Sequence, residues 1–245
     1  MSIDKNSFTS TLTRVFGDNG LSSVLSLERS EKFLVLTEFM LLENEKYNLT
    51  AITEPDKIIL NHYADCAALA VRLPKNAKIA DIGCGAGFPT LPIAILRPDV
   101  TILAIDSTAK RIAYVNEAAT LLGLTNVNAV AMRAEDGGNN PEYREKFDVV
   151  TARAVAEMRV LSELCLPFVK QGGKFIAMKG RNAEFELQGA RRAIAILGGS
   201  GATVEQITLT GINEELTHPL ITIEKKSKTP AGYPRPFAKI SKKPL

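Results

Sequence analysis

Asp81, Gly83, Gly85 and Gly87 alternate along Lys78-Ile79-Ala80-Asp81-Ile82-Gly83-Cys84-Gly85-Ala86-Gly87-Phe88-Pro89, directly after a short apolar run. Glycines at this spacing let the backbone take positive φ and approach a bound molecule without Cβ contacts, and Pro89 suits the first turn of a following helix. The chemistry such a turn can do is to hold a nucleotide-like ligand. The dinucleotide fingerprint G-x-G-x-x-G fails in both registers, because its sixth position is Phe88 or Thr90, and no G-x-x-x-x-G-K-[ST] is present. Asp106 lies 19 residues beyond Gly87, at the end of the next apolar run, where a carboxylate can accept both ribose hydroxyl hydrogens or simply cap a helix. Arg133-Ala134-Glu135-Asp136 follows the third run and offers a loop backbone and an acid to a base edge. Metal and thiol chemistry have little to work with. The chain holds two histidines, His62 and His218, and three separated cysteines, Cys66, Cys84 and Cys165, with no C-x-x-C or H-x-x-x-H. We therefore expect no metal site, and Cys84 reads as a small buried residue rather than a nucleophile.

The elements that must position these residues follow from periodicity. Residues 1–75 read as a helical segment, with Phe33, Leu36, Met40 and Tyr47 on one face and a second helix from Pro55 to Arg72. From Lys78 onward, apolar runs at 79–82, 100–105, 127–131, 147–151, 174–178, 202–209 and 220–223 alternate with helical patterns at 90–96, 108–122, 157–169 and 183–197. This implies a doubly wound, mostly parallel α/β sheet, with the last two runs paired antiparallel through Gly211–Glu215. Ser107 looks like the cap of the helix after Asp106. The expected organisation is a helical segment (1–75), an α/β domain (76–224) and a basic tail (225–245). The D-x-G-x-G-x-G stretch resembles the first motif of class I S-adenosylmethionine-dependent methyltransferases, whose fold is Rossmann-like.

A longer set of residues resembles the bacterial small-subunit (16S) rRNA guanine-N7 methyltransferases, the GidB/RsmG family. It comprises Tyr47-Asn48-Leu49-Thr50-Ala51-Ile52, His62-Tyr63-Ala64-Asp65, the glycine loop, Lys110-Arg111, Arg133-Ala134-Glu135, Thr151-Ala152-Arg153-Ala154-Val155, Lys179-Gly180, Tyr233-Pro234-Arg235 and Lys243-Pro244-Leu245. The Asn-Leu-Thr and Ala-Arg-Ala stretches are more specific than the glycine loop. The resemblance covers most of the chain and implies S-adenosylmethionine as cofactor, with contacts from Gly83, Phe88, Ala134, Glu135 and Arg153 and with Asp106 as the ribose acid; the glycine loop itself adds Gly85 and Gly87 as cofactor-binding candidates. The resemblance also implies 16S rRNA or a small-subunit precursor as partner, and the odd, sparse cysteine set suits a reducing cytoplasm. Cys66 and Cys84 stand where the family often has Ser or Thr, and Thr90 replaces a common Gly.

The inventory suits such a reaction. Guanine N7 carries an in-plane lone pair and no proton, so methyl transfer to it needs alignment rather than a general base, and no catalytic residue is assigned. Arg153 ends the fourth strand, where it meets a cofactor carboxylate or a phosphate, or pairs with Glu135 or Asp136. Lys179 and Arg181 end the fifth strand and are candidate phosphate contacts. His62 and Asp65 lie on consecutive helical turns, and packing accounts for them as well as catalysis does. Alternatives are a small-molecule methyltransferase and a cofactor-binding sensor without turnover.

Composition sets the outer bounds. With 45% hydrophobic and 23% charged residues, the 245-residue chain is globular rather than disordered. It has no apolar stretch long enough to span a membrane. Its opening residues, Met1-Ser2-Ile3-Asp4-Lys5, show no signal peptide. Nothing in the pattern, neither heptads nor a large apolar stripe, argues for a stable dimer, so a monomer is expected. The net charge of +3 divides into +7 for residues 225–245, which contain no acid, and −4 for residues 1–224. That asymmetry points to a polyanion, with Arg235, Lys239, Lys242 and Lys243 as RNA-binding candidates, or to a merely solvated tail.

Overall fold

The computed structural model describes residues 3–245; Met1 and Ser2, two of the opening residues read above for a signal peptide, lie outside the described residues. The N-terminal helices begin where side-chain acceptors satisfy the first free N–H groups. The Asp4 carboxylate accepts from Ser7 N at 2.6 Å to open α1 (Lys5–Asp18), and Ser26 Oγ accepts from Arg29 N at 3.3 Å to open α2 (Leu27–Tyr47). Asn48, in the left-handed region at φ 50°, ends α2. Pro55 starts α3 (Pro55–Ile58), which runs through a π-wound turn (Ile59–Ala64) into α4 (Asp65–Ala70). This differs from a uniform helix to Arg72. The wider turn shifts the phase of the side chains that follow it, as π segments near functional sites often do.

Seven strands form one sheet: β1 (Lys78–Ile82), β2 (Thr101–Asp106), β3 (Val127–Ala131), β4 (Phe147–Arg153), β5 (Val169–Met178), β6 (Gly199–Thr210) and β7 (Glu215–Lys225). Their order is β3-β2-β1-β4-β5-β7-β6. The first five pair in parallel, whereas β7 inserts antiparallel between β5 and β6. Crossover helices α5 (Thr90–Leu96), α6 (Ala109–Leu121), α7 (Ala134–Asn139), α8 (Met158–Cys165) and α9 (Ala183–Ile196) connect them, and α10 (Phe237–Lys242) follows in the tail. Buried Phe16, Phe33, Met40 and Tyr63 join α5 and α6 in the core on one face, and Leu161, Phe168, Leu187 and Ile240 fill the other. The sheet is therefore covered on both sides, which is why its central strands read as unbroken apolar runs. Strand order reverses between β1 and β4, and in such sheets the crevice at the carboxyl ends there is the ligand-binding place.

Several boundaries move for physical reasons. Pro167 lies in a tight turn (Leu166–Phe168), so α8 stops at Cys165 and β5 starts at Val169, five residues before its apolar stretch. Ser107 is not the cap of α6. Thr108 occupies that position without a side-chain bond, and its N–H is taken by Asp106 Oδ1 at 2.8 Å.

The basic tail is anchored through the buried Lys225, Thr229, Pro234 and Ile240, while most of its other residues are exposed. Lys225 belongs to β7 and is fully buried, donating to Leu166 O at 2.7 Å and Thr229 Oγ1 at 2.5 Å, with Glu145 at 3.5 Å. Burial lowers its ammonium to about 8. Arg235 Nη2 meets the fully buried Glu163 carboxylate at 2.6 Å, and Ile240 sits in the core.

Candidate functional site

The glycine loop is shaped by contacts its own sequence cannot show. Gly83 has φ +73°, and a Cβ there would lie 2.6 Å from Val155 Cγ2; Gly87 has φ +80° and the same clearance from Leu91. Gly85, at φ +54°, donates its N–H to Asp106 Oδ2 at 3.0 Å. Asp106, buried at the end of β2, thus accepts backbone N–H bonds on both oxygens and stands 3.6 Å from Arg111 Nη1. Below the loop, the Asp81 carboxylate accepts from Thr90 Oγ1 at 2.6 Å and Thr151 Oγ1 at 3.2 Å. Burial still pushes that carboxyl up to about 6, the hydroxyls opposing it. Thr90, one of the three residues that depart from the family pattern, is therefore a hydrogen-bond donor to the motif's acid. Burial drives the Cys84 thiol upward, which keeps it protonated and inert.

Two cavities open at the carboxyl ends of the strands. The first, about 320 Å³, brings together Gly83, Asp106, Ala134 and Glu135 with Met132, Arg133 and Val155. Phe237 of α10 also lines it, a residue that no local spacing singled out. Gly85 supports this cavity through Asp106 rather than lining it, and Gly87 is turned toward Leu91. Carboxylates that can take hydroxyl donors, glycine backbone and apolar Ile82, Met132 and Leu164 make a donor set that fits an adenosyl group.

The second cavity, about 290 Å³, includes Asn61, Asp65, Arg153, Lys179 and His218. Ala154, with φ 54°, lines both cavities and marks their junction. Arg153 does not reach Glu135 or Asp136. Its Nη1 donates to Asp65 Oδ2 at 2.9 Å, and its Nη2 stands 2.7 Å from His62 Nδ1. Burial first, then this guanidinium, lowers the His62 imidazole to about 4, so the ring is neutral. Nδ1 is then the acceptor for Arg153 and Nε2 faces Thr50 Oγ1 at 3.2 Å. The His62 ring stacks on Phe88 with centroids 4.2 Å apart, so Phe88 supports the second cavity rather than lining the first. Lys179 Nζ donates to Ala156 O at 2.9 Å and pairs with Glu186 at 2.7 Å. Arg181 is exposed at the start of the loop before α9, and Lys239, Lys242 and Lys243 are exposed on and after α10.

Comparison with known proteins decides the family. The family model described as rRNA small subunit methyltransferase G matches residues 29–216. A Clostridium perfringens protein named Ribosomal RNA small subunit methyltransferase G is 44% identical over 89% of this chain and 91% of its own length. The chain belongs to this family. A Clostridium beijerinckii protein of the same name is 42% identical over 97% of this chain and 99% of its own length, so the likeness to methyltransferase G proteins includes both ends. Among solved structures, an S-adenosylmethionine-dependent O-methyltransferase from Thermotoga maritima superposes with a TM-score of 0.55 at 16% identity, over 77% of this chain and 72% of that one. That likeness establishes the class I methyltransferase fold of this methyltransferase G family member. No helix among the described residues is long and apolar enough to cross a membrane.

Proposed function

We propose that this chain transfers a methyl group from S-adenosylmethionine to N7 of a guanine in 16S rRNA, acting in the cytoplasm on the rRNA or a small-subunit precursor. The observation that carries this reading is the pair of cavities meeting at Ala154 in a methyltransferase G chain, one suited to an adenosyl group and one that sets charged groups among apolar walls and opens toward a substrate. When bound, S-adenosylmethionine supplies an electrophilic methyl group on a sulfonium centre. Asp106 would accept the ribose hydroxyls, with the Gly83 backbone beneath and Ala134, Glu135 and Met132 framing the base.

Guanine N7 has no proton to remove, and the protonation states near the junction agree with that. His62 is neutral with its Nδ1 lone pair taken up by Arg153, and the Cys84 thiol stays protonated. The task left to the protein is alignment, which alone can supply several kcal/mol of the barrier reduction. Arg181, Lys239, Lys242 and Lys243 are placed to meet phosphates, and Phe237 ties the tail to the cofactor cavity. These cations favour rRNA over a small-molecule acceptor, which would leave them idle, and the second cavity favours turnover over sensing.

Nucleoside analysis of small-subunit rRNA from cells with and without the gene tests the proposal. Loss of 7-methylguanosine on deletion, restored by the purified protein with S-adenosylmethionine, is expected. Unchanged 7-methylguanosine overturns it.

A further inference from the structure

Two of the ten phenylalanines are not packed away. Seven are buried and Phe39 stacks on Tyr114, but Phe237 is 41% exposed and Phe185 81%, the most of any large apolar side chain among the described residues. Phe237 walls the first cavity; Phe185 stands beside the second. It lies in the first turn of α9, next to Glu186, whose carboxylate pairs at 2.7 Å with Lys179. Lys179 and Gly180 line the second cavity, and the exposed Arg181 follows them in the loop that leads to α9. Leu27, Leu42 and Leu121 are also well exposed, but they are aliphatic and line neither cavity at the strand ends.

Cations surround the ring. Gln188 and Arg192, three and seven positions on, share its helical face and are exposed. Gly189, four positions on, is crossed by Arg159, whose Cδ would lie 3.8 Å from a Cβ there. The same Arg159 donates to Pro244 O and Leu245 O, at 2.7 Å each, so the end of the tail with Lys242 and Lys243 borders this face. Arg181, Arg192, Lys242 and Lys243 form no ion pair among the described residues. Glu184, the neighbouring acid, sits about 100° round the helix from Phe185. An aromatic face left in water beside unpaired cations is what single-stranded RNA sites provide: phosphates follow the cations and bases stack on the ring. An enzyme that draws one base out of a stack also strips the neighbouring base of a stacking partner. We propose that Phe185 supplies that partner, its ring stacking on the nucleotide beside the target guanosine while Arg181 and Arg192 meet the flanking phosphates. Resting on the rRNA reading above, this assignment names the side chain that holds the strand at the mouth of the second cavity.

The chain contains no tryptophan, so Phe185→Trp places a single indole at this position. Stacking on a base quenches indole fluorescence. In the full-length Phe185→Trp protein, 16S rRNA should therefore quench the emission. Phe185→Ala and Phe185→Leu should both raise KM for rRNA about 5- to 150-fold, the effect of one lost base–aromatic contact, with S-adenosylmethionine affinity by calorimetry unchanged. The tryptophan variant should keep a KM below that of either non-aromatic one. A leucine variant with the wild-type KM would mean that apolar bulk suffices, which overturns the assignment. So does unquenched emission at rRNA concentrations that saturate the wild-type protein. Should the alanine variant fail to fold by circular dichroism, the leucine and tryptophan variants still decide. Quenching by rRNA alongside a wild-type protein that transfers no methyl group supports the platform and overturns the methyl-transfer reading instead.

Discussion

The first cavity takes nearly all its walls from short stretches at strand ends, 82–83, 105–108, 132–135 and 154–156, whereas the second gathers Ile52, Asp65, Arg153, Lys179 and His218 from segments spread over most of the chain. In the first, the central acid, Asp106, is fixed by two backbone amides, with Glu135, Arg111 and Arg133 around it. In the second the polar groups are side chains that hold one another: Asp65 between Arg153 and His218, with Arg153 against a neutral His62. Backbone-built sites depend on conformation; side-chain networks depend on each charge keeping its partner. The two halves of one proposed reaction should therefore fail in different ways.

Four variants, from the largest effect downward, can break or sharpen that contrast. Arg153→Ala leaves the buried Asp65 carboxylate short of its cation and should cost about 3–5 kcal/mol. For a chain of this length a thermal melt should register it as a Tm drop on the order of 10 °C. A drop of only a degree or two would mean that water or His218 already satisfies Asp65.

His62→Gln probes the same network through pH. The native imidazole is lowered from 6.5 to about 4, so its contribution is complete above pH 6.5 and is lost as pH falls toward 4. That contribution is about 3 kcal/mol. The buried Asp81, raised to about 6, works in the opposite direction, losing stability as pH rises from 3.8 to 6. The wild-type-minus-variant difference in melting between pH 4 and 6.5 isolates His62, and a flat difference would refute the neutral-ring arrangement.

In the first cavity, Gly83→Ala forces a Cβ into the left-handed region and against Val155, costing about 1–3 kcal/mol. Calorimetry should show weakened S-adenosylmethionine binding even though no side chain has been removed. Wild-type affinity would mean that the loop relaxes and the site does not depend on its backbone. Changing Lys239, Lys242 and Lys243 to Ala should leave stability within about 0.5 kcal/mol per site. It should also flatten the salt dependence of RNA binding by about 0.7 logarithmic units per lysine if single-stranded RNA contacts them. An unchanged slope would remove these lysines from the RNA-contacting surface.

The same contrast explains what was legible in the sequence. Glycine spacing, the acid at the end of β2 and the Ala134-Glu135 turn are local patterns, and the structure sets Gly83, Asp106, Ala134 and Glu135 around one cavity. His62 and Asp65 were visible as a spacing of three, but their partners, Arg153 and His218, lie 88 and 153 positions beyond Asp65, where no window of periodicity reaches. Charge counting failed for a related reason. It credits every cation in residues 225–245 to the surface, yet Lys225 is buried beside Glu145, Lys226 pairs with Glu224 and Arg235 pairs with Glu163. Four of the seven, Lys228, Lys239, Lys242 and Lys243, make no ion pair among the described residues. The alternating polar edges of β6 and β7 hid their length, because only their apolar centres stood out.

The Glu163–Arg235 pair also imposes an order of events. A ribosome releases the acid 72 residues before the arginine that neutralises it, and Arg235 N and Nε both bond the same carboxylate oxygen, at 2.9 and 2.8 Å. Until then, packing α8 on the sheet would bury Glu163 without its cation, which is costly. The face that carries α8 can therefore close with its charges matched only once this late segment has left the exit tunnel. With Phe237 two residues further on, the wall of the first cavity waits for the same segment.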